Sequence, residues 1–104
     1  MARFDVYPTP LSEERRHTPF WLDVQADHLE TLATRVIVPL RVVSPSIPIK
    51  ARLNPVFDVA SKRVYADTAN LGTFPHALLR RPVANLREQR LSIDGALDFL
   101  FTGF

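Results

Sequence analysis

Near the C-terminus, Leu86, Arg90, Ile93, Leu97, Leu100 and Phe104 step by three or four positions, and Ala96 and Phe101 widen the apolar stripe. That period belongs to a helix laying one face on a core, and it predicts a helix from about Arg87 to Phe101. Asn85 is the expected N-cap, with Glu88 three positions later at capping-box spacing. Gly103 is placed to end the helix in the left-handed conformation. Gly95 inside it costs about 1 kcal/mol relative to alanine, so its small size is expected to admit the close approach of another backbone.

The rest of the chain reads as strands. Nine prolines, at 8, 10, 19, 39, 45, 48, 55, 75 and 82, leave few windows long enough for several helical turns. Residues Arg3 to Tyr7 alternate, with Phe4 and Val6 on one face. Val56-Phe57 with Val59, and Val64-Tyr65, are β-formers joined by the short connection Ala60-Ser61-Lys62, the pattern of a hairpin. Arg35 to Val43 is rich in β-branched residues around Pro39, which predicts a bulge or an edge there. Phe20 to Val38 fits two periods. Leu22, Leu29, Leu32, Ala33, Val36 and Leu40 trace a helical stripe with Asp27 and Glu30 at capping-box spacing. Phe20, Leu22 and Val24 instead alternate as a strand, followed by a turn through Ala26 to Thr34. The strand reading is preferred, which makes the fold a set of antiparallel strands with a C-terminal helix.

Composition narrows the chemistry. A chain of 104 residues is expected to be one domain, 1–104, and a formal net charge of +2 does not force a phosphate-tracking surface. There is no cysteine, so disulfide and thiolate-metal schemes are absent. No apolar run approaches a membrane span and no signal-like segment opens the chain, so a soluble, unprocessed, cytoplasmic protein without membrane partners is expected. Glycine occurs only at 72, 95 and 103, which excludes a phosphate-binding loop or dinucleotide fingerprint. His17, His28 and His76 have no metal-ligand spacing, so neither metal nor cofactor is expected. Asp94 and Asp98, at i and i+4, read as an exposed acidic helix face. His28 reads as a surface turn residue, because no nucleophile is tied to it. No catalytic residue is assigned, and the protein is not expected to be an enzyme.

Two surface features suggest partners. Arg80, Arg81, Arg87 and Arg90 cluster before and inside the helix, with Arg15 and Arg16 near the start, a pattern suited to an acidic peptide or a phosphate backbone. Phe99, Phe101 and Phe104 put aromatic surface on more than one side of the helix. A symmetric partner helix near Gly95 or Gly103 is the economical cover, with a larger core as the alternative.

Phe4-Asp5-Val6-Tyr7, LDVQADHLETLATRVIVPL from Leu22, NPVFDV from Asn54, and VANLREQRLSIDGALDFLFTGF to the end stand in an order that resembles the CcdB family, toxins of toxin–antitoxin modules. Asp23-Val24-Gln25, the Ile37-Val38-Pro39-Leu40 run and the Phe-x-Gly-x terminus are its most specific pieces. The resemblance implies a mainly β (α+β) fold, an SH3-like antiparallel β-barrel with a C-terminal α-helix, in a homodimer whose helices lie beside the two-fold axis. It also implies a toxin that poisons DNA gyrase by wedging between the A subunits and trapping cleaved DNA. A CcdA-like antitoxin neutralises it, and operator DNA is bound only through the toxin–antitoxin complex.

The resemblance places the gyrase contact on Asp98, Phe101, Thr102, Gly103, Phe104, His28 and Leu29. Thr102 stands where the family has a Trp that stacks on a gyrase arginine, a contact worth about 0.5 to 2 kcal/mol. His28 replaces an aliphatic residue and Asp98 an amide. Arg80, Arg81, Arg87 and Arg90 are the candidate antitoxin contacts. The alternatives are a homologue with a lost or altered target that keeps antitoxin and operator binding, and an endoribonuclease like the structurally related MazF group.

Overall fold

A computed structural model describes residues 2–103. Seven strands form one antiparallel sheet that curls into a nearly closed barrel: β1 (Asp5–Pro8), β2 (Phe20–Asp23), β3 (Thr34–Val42), β4 (Val56–Val59), β5 (Lys62–Ala66), β6 (Gly72–Pro75) and β7 (Ala84–Asn85). Helix α1 (Arg90–Thr102) follows. Strand order is β4-β5-β3-β2-β1-β7, with β6 added to the free edge at the start of β3. This is the barrel with a C-terminal helix that the sequence led us to expect.

Strand β3 is the spine. Its residues 37–40 pair with β2 on one side, and on the other its first half pairs with β6 (Thr34↔Pro75 to Ile37↔Gly72) and its end with β5 (Leu40↔Ala66 to Val42↔Val64). Pro39 is therefore neither at an edge nor in a bulge, as had been expected. It lies where β3 changes partner from β6 to β5, so its missing N–H deprives neither ladder, while its carbonyl accepts the Asp67 N–H at 2.9 Å.

Alternation along β2 and β3 divides the molecule into two layers. Phe20, Leu22, Val24, Val38 and Leu40 enter the main core with Phe4, Val6, Phe57, Val59 and Val64. Tyr7, Trp21 and Ile37 face the other way and are covered by Leu79, with Phe74 packed beside them. The strand reading of residues 20–38 holds, and the helical signal survives only as the short 3-10 turn Asp27–Leu29. Phe4 reaches the main core from a left-handed backbone (φ 73°), and β1 begins one residue later.

The β4–β5 hairpin turns through Ala60 and Ser61, both with positive φ (48° and 66°), so Val59 pairs directly with Lys62. The geometry is that of a type I′ turn, which fits the twist of antiparallel strands. The C-terminal helix starts later than predicted. A 3-10 turn, Arg87–Gln89, precedes it, and neither element has a side-chain cap at its own N-cap position. Asn85 Oδ1 instead accepts the Arg87 N–H at 2.9 Å and caps the approach to the turn. Ile93 and Ala96 are buried and Leu97 packs on the main core, so α1 closes one end of the barrel. Gly103 ends it at φ 78°, its N–H donating to Phe99 O at 3.0 Å. Among the described residues no helix is long and apolar enough to cross a membrane.

Candidate functional site

The Asp23-Val24-Gln25 run organises the loop after β2. Asp23 Oδ1 accepts the Gln25 N–H at 3.0 Å. The Gln25 side chain then bridges the loop, its Oε1 accepting the Val36 N–H at 3.0 Å and its Nε2 donating to Leu29 O at 3.2 Å. Gln25 is buried, and both ends of its amide are satisfied. The turn that carries His28 and Leu29 is thereby pinned against β3.

Arg3 pins the same loop to the helix. Its backbone N–H donates to Asp27 Oδ1 at 2.7 Å, its Nε to Val24 O at 2.9 Å, and its Nη2 to Asp94 Oδ1 at 2.7 Å. The guanidinium lies 4.3 Å from the Phe4 ring centroid. Asp94 is thus committed to Arg3 rather than paired with Asp98.

These ties hold the loop and the end of α1 around an apolar hollow of about 520 Å³, whose lining includes Val24, Leu29, Leu32, Val36, Leu97 and Phe101. Phe101 is 70% exposed. Leu29 and Phe101, more than seventy residues apart in sequence, therefore meet at one surface. His28 is on the same turn and exposed, but does not line the hollow. Asp98 and Thr102 are exposed on the helix end, with Thr102 Oγ1 donating to Asp98 O at 2.7 Å. Gly103 is the left-handed cap described above. Phe104 lies outside the described residues.

The aromatic crowd is divided differently from the sequence expectation. Phe99 is covered within the chain by Arg52, whose guanidinium carbon lies 4.6 Å from its ring centroid. Within the chain, Gly95 is not approached by another element, since a Cβ added there would have nothing within 4 Å, and the expected partner helix is the remaining candidate for such an approach. Among the described residues, Phe101 presents the broad uncovered aromatic face.

The arginines also separate. Arg80 lines a hollow of about 540 Å³ with Arg15, while Arg87 and Arg90 line one of about 560 Å³ with Arg3 and Asn85. Arg81 and Arg16 are exposed. Arg80, Arg87 and Arg90 thus line two separate hollows rather than one surface.

Beneath the outer layer lies a buried ion pair that the sequence reading passed over. Arg35 Nε donates to Asp23 Oδ2 at 2.7 Å, and Nη2 lies at the same distance from that oxygen. Both side chains are almost fully excluded from solvent, and Nη1 and Nη2 have no hydrogen-bond partner among the described residues. Burial raises the Asp23 carboxyl above its ordinary value, opposed by the Arg35 and Gln25 hydrogen bonds. Tyr7 beside them is pushed up to about 12, first by burial and then by the Asp5 and Asp23 carboxylates. The available signal was opposite charges on the same parity of two adjacent strands: Asp23 pairs with Ile37, two positions from Arg35.

Comparison with known proteins decides the family. The family model described as CcdB protein matches residues 3–103. The chain belongs to the CcdB family. No curated protein matches it. CcdB membership makes it a toxin of a toxin–antitoxin system. It also gives the pinned loop and helix end a context, since these carry the Asp23-Val24-Gln25 and terminal motifs on which the CcdB resemblance rests.

Proposed function

We propose that the protein acts as a homodimer that poisons DNA gyrase by trapping its cleaved-DNA complex, and that a CcdA-like antitoxin neutralises it in the cytoplasm. It works by binding, not by catalysis. The observation that carries this reading is the convergence of Leu29 and Phe101 on one apolar hollow at the helix end. An apolar patch kept in place by buried polar bonds, rather than collapsed into the core, is the mark of a surface meant to be covered. Arg80 with Arg15, and Arg87 with Arg90, offer two separate places for acidic antitoxin segments. Operator DNA is bound only through the toxin–antitoxin complex.

Thr102 is the weak point of the gyrase contact, because a hydroxyl gives no π face to a cation. Purified protein incubated with gyrase and supercoiled DNA is expected to accumulate cleaved DNA, and Thr102→Trp to lower the half-maximal concentration by between about 2- and 30-fold. No cleaved DNA with either protein would contradict gyrase as the target.

A further inference from the structure

The connection between β1 and β2 and the segment after β6 face each other across the outer layer and enclose a two-lobed cleft. The lobes are about 680 and 540 Å³ and share Pro10, Leu11 and Leu78. Neither touches the hollow at Leu29 and Phe101, as they have no lining residue in common with it.

Both walls are anchored. On one side Thr9 Oγ1 donates to Thr18 O, Arg15 Nε to Thr9 O at 2.6 Å, and the Thr18 N–H to Glu14 O at 2.8 Å. Opposite, the His76 N–H donates to Ala33 O at 2.9 Å, the Leu79 N–H donates to His76 O at 3.0 Å, and Leu79 is buried. Trp21 forms the floor against Phe74, with ring centroids 4.3 Å apart. Leu11 and Leu78 stand at the waist, 50% and 44% exposed.

The lobes differ in charge. Glu13, Glu14 and His17 line the larger one. Neither glutamate is in an ion pair among the described residues, and the guanidinium of Arg41 there is already held by Asp67 at 2.6 Å. Arg15 and Arg80 line the smaller lobe, and neither meets a carboxylate among the described residues.

We propose that this cleft docks an extended segment of a partner protein in which a basic residue and an acidic residue flank apolar side chains. The apolar side chains would sit at the Leu11–Leu78 waist, where burial supplies the driving force. The glutamates would take the basic end and the arginines the acidic end, which fixes the direction of the segment. Anchored walls keep the ordering cost low on this side. A single-stranded nucleic acid fits poorly, because its phosphates would have to pass both glutamates. The smaller lobe is the Arg15–Arg80 patch assigned above to an acidic antitoxin segment, so the proposal rests on that reading there, but it does not depend on gyrase being the target.

Trp21 is the chain's one tryptophan, so its emission reports on the floor directly. The probe is the peptide acetyl-Lys-Lys-Val-Leu-Val-Glu-Glu-amide, with two controls in which both ends are Lys-Lys or both are Glu-Glu. The mixed peptide is expected to shift Trp21 emission saturably and to bind at least about tenfold tighter than either control. Leu11→Gln with Leu78→Gln should lose that binding while circular dichroism stays unchanged. Glu13→Lys with Glu14→Lys should transfer the preference to the peptide with two acidic ends. No saturable shift up to about 1 mM, equal binding of the three peptides, or unchanged binding by the double-Gln variant would overturn the proposal. Tighter binding of an oligouridine would overturn it in favour of RNA.

Discussion

The hollow at Leu29 and Phe101 and the cleft over Trp21 draw on opposite faces of the same strand. Thr34 and Val36 of β3 face the first, Pro39 and Arg41 the second. The even-numbered side is an extension of the main core to the surface, and its buried polar side chain, Gln25, is used up in bonds to neighbouring backbone. Such a surface makes no directional demand and suits a large partner. The odd-numbered side rests on a layer with a buried ion pair and presents charges of both signs at its rim. It is built for direction, and its stability depends on charges being matched out of water.

That contrast is tested first by removing one charge. Arg35→Leu leaves the Asp23 carboxylate buried without its cation, and urea unfolding is expected to show a loss of about 3–5 kcal/mol. Phe101→Ser, on the other surface, is expected to change stability by less than about 0.5 kcal/mol. Similar values for the two would erase the distinction.

Alkaline titration sharpens it next. Tyr7 is 1% exposed, and its hydroxyl is pushed from 10.0 to about 12. The folded value is the higher one, so the folded state favours the protonated phenol. The contribution is complete below pH 10 and is lost as pH rises towards 12, about 3 kcal/mol in all. In Tyr7→Phe, the fall in unfolding free energy across this window should shrink by about that amount. Tyr65, also raised by burial, is common to both proteins and cancels. An identical fall in both would mean that the Tyr7 hydroxyl is not held in the outer layer.

The sequence displayed the even-numbered side well and the odd-numbered side poorly, for a physical reason. Apolar alternation through Phe20, Leu22 and Val24 and the stripe through Ile93, Ala96 and Leu97 are local signals of a shared core. Asp23 and Arg35 look like solvent-facing positions in that pattern. They lie on the same side of β2 and β3 as Trp21 and Ile37, a layer that Leu79, far along the chain and in a stretch without periodicity of its own, helps to cover. Pro39 misled for a similar reason: alone it signals an edge, but here β3 changes partners beside it. The cover of Phe99 by Arg52 comes from another aperiodic stretch, residues 43–55. Phe101 was legible from the helix pattern as aromatic surface, but its pairing with Leu29 was legible only through the family resemblance. Gln25 and Arg3, which fix the geometry between them, were not assigned a role.

The central proposal is that Leu29 and Phe101, repeated in a homodimer, form the face that meets gyrase. Cleavage of supercoiled DNA by gyrase tests it most directly, beside Leu29→Asp and Phe101→Asp variants whose mass at about 10 µM is followed by sedimentation equilibrium. The account predicts a mass near twice 11.8 kDa for all three proteins, and cleaved DNA with the unaltered protein but not with either variant. A single-chain mass for the unaltered protein, or cleaved DNA that neither aspartate reduces, would contradict it.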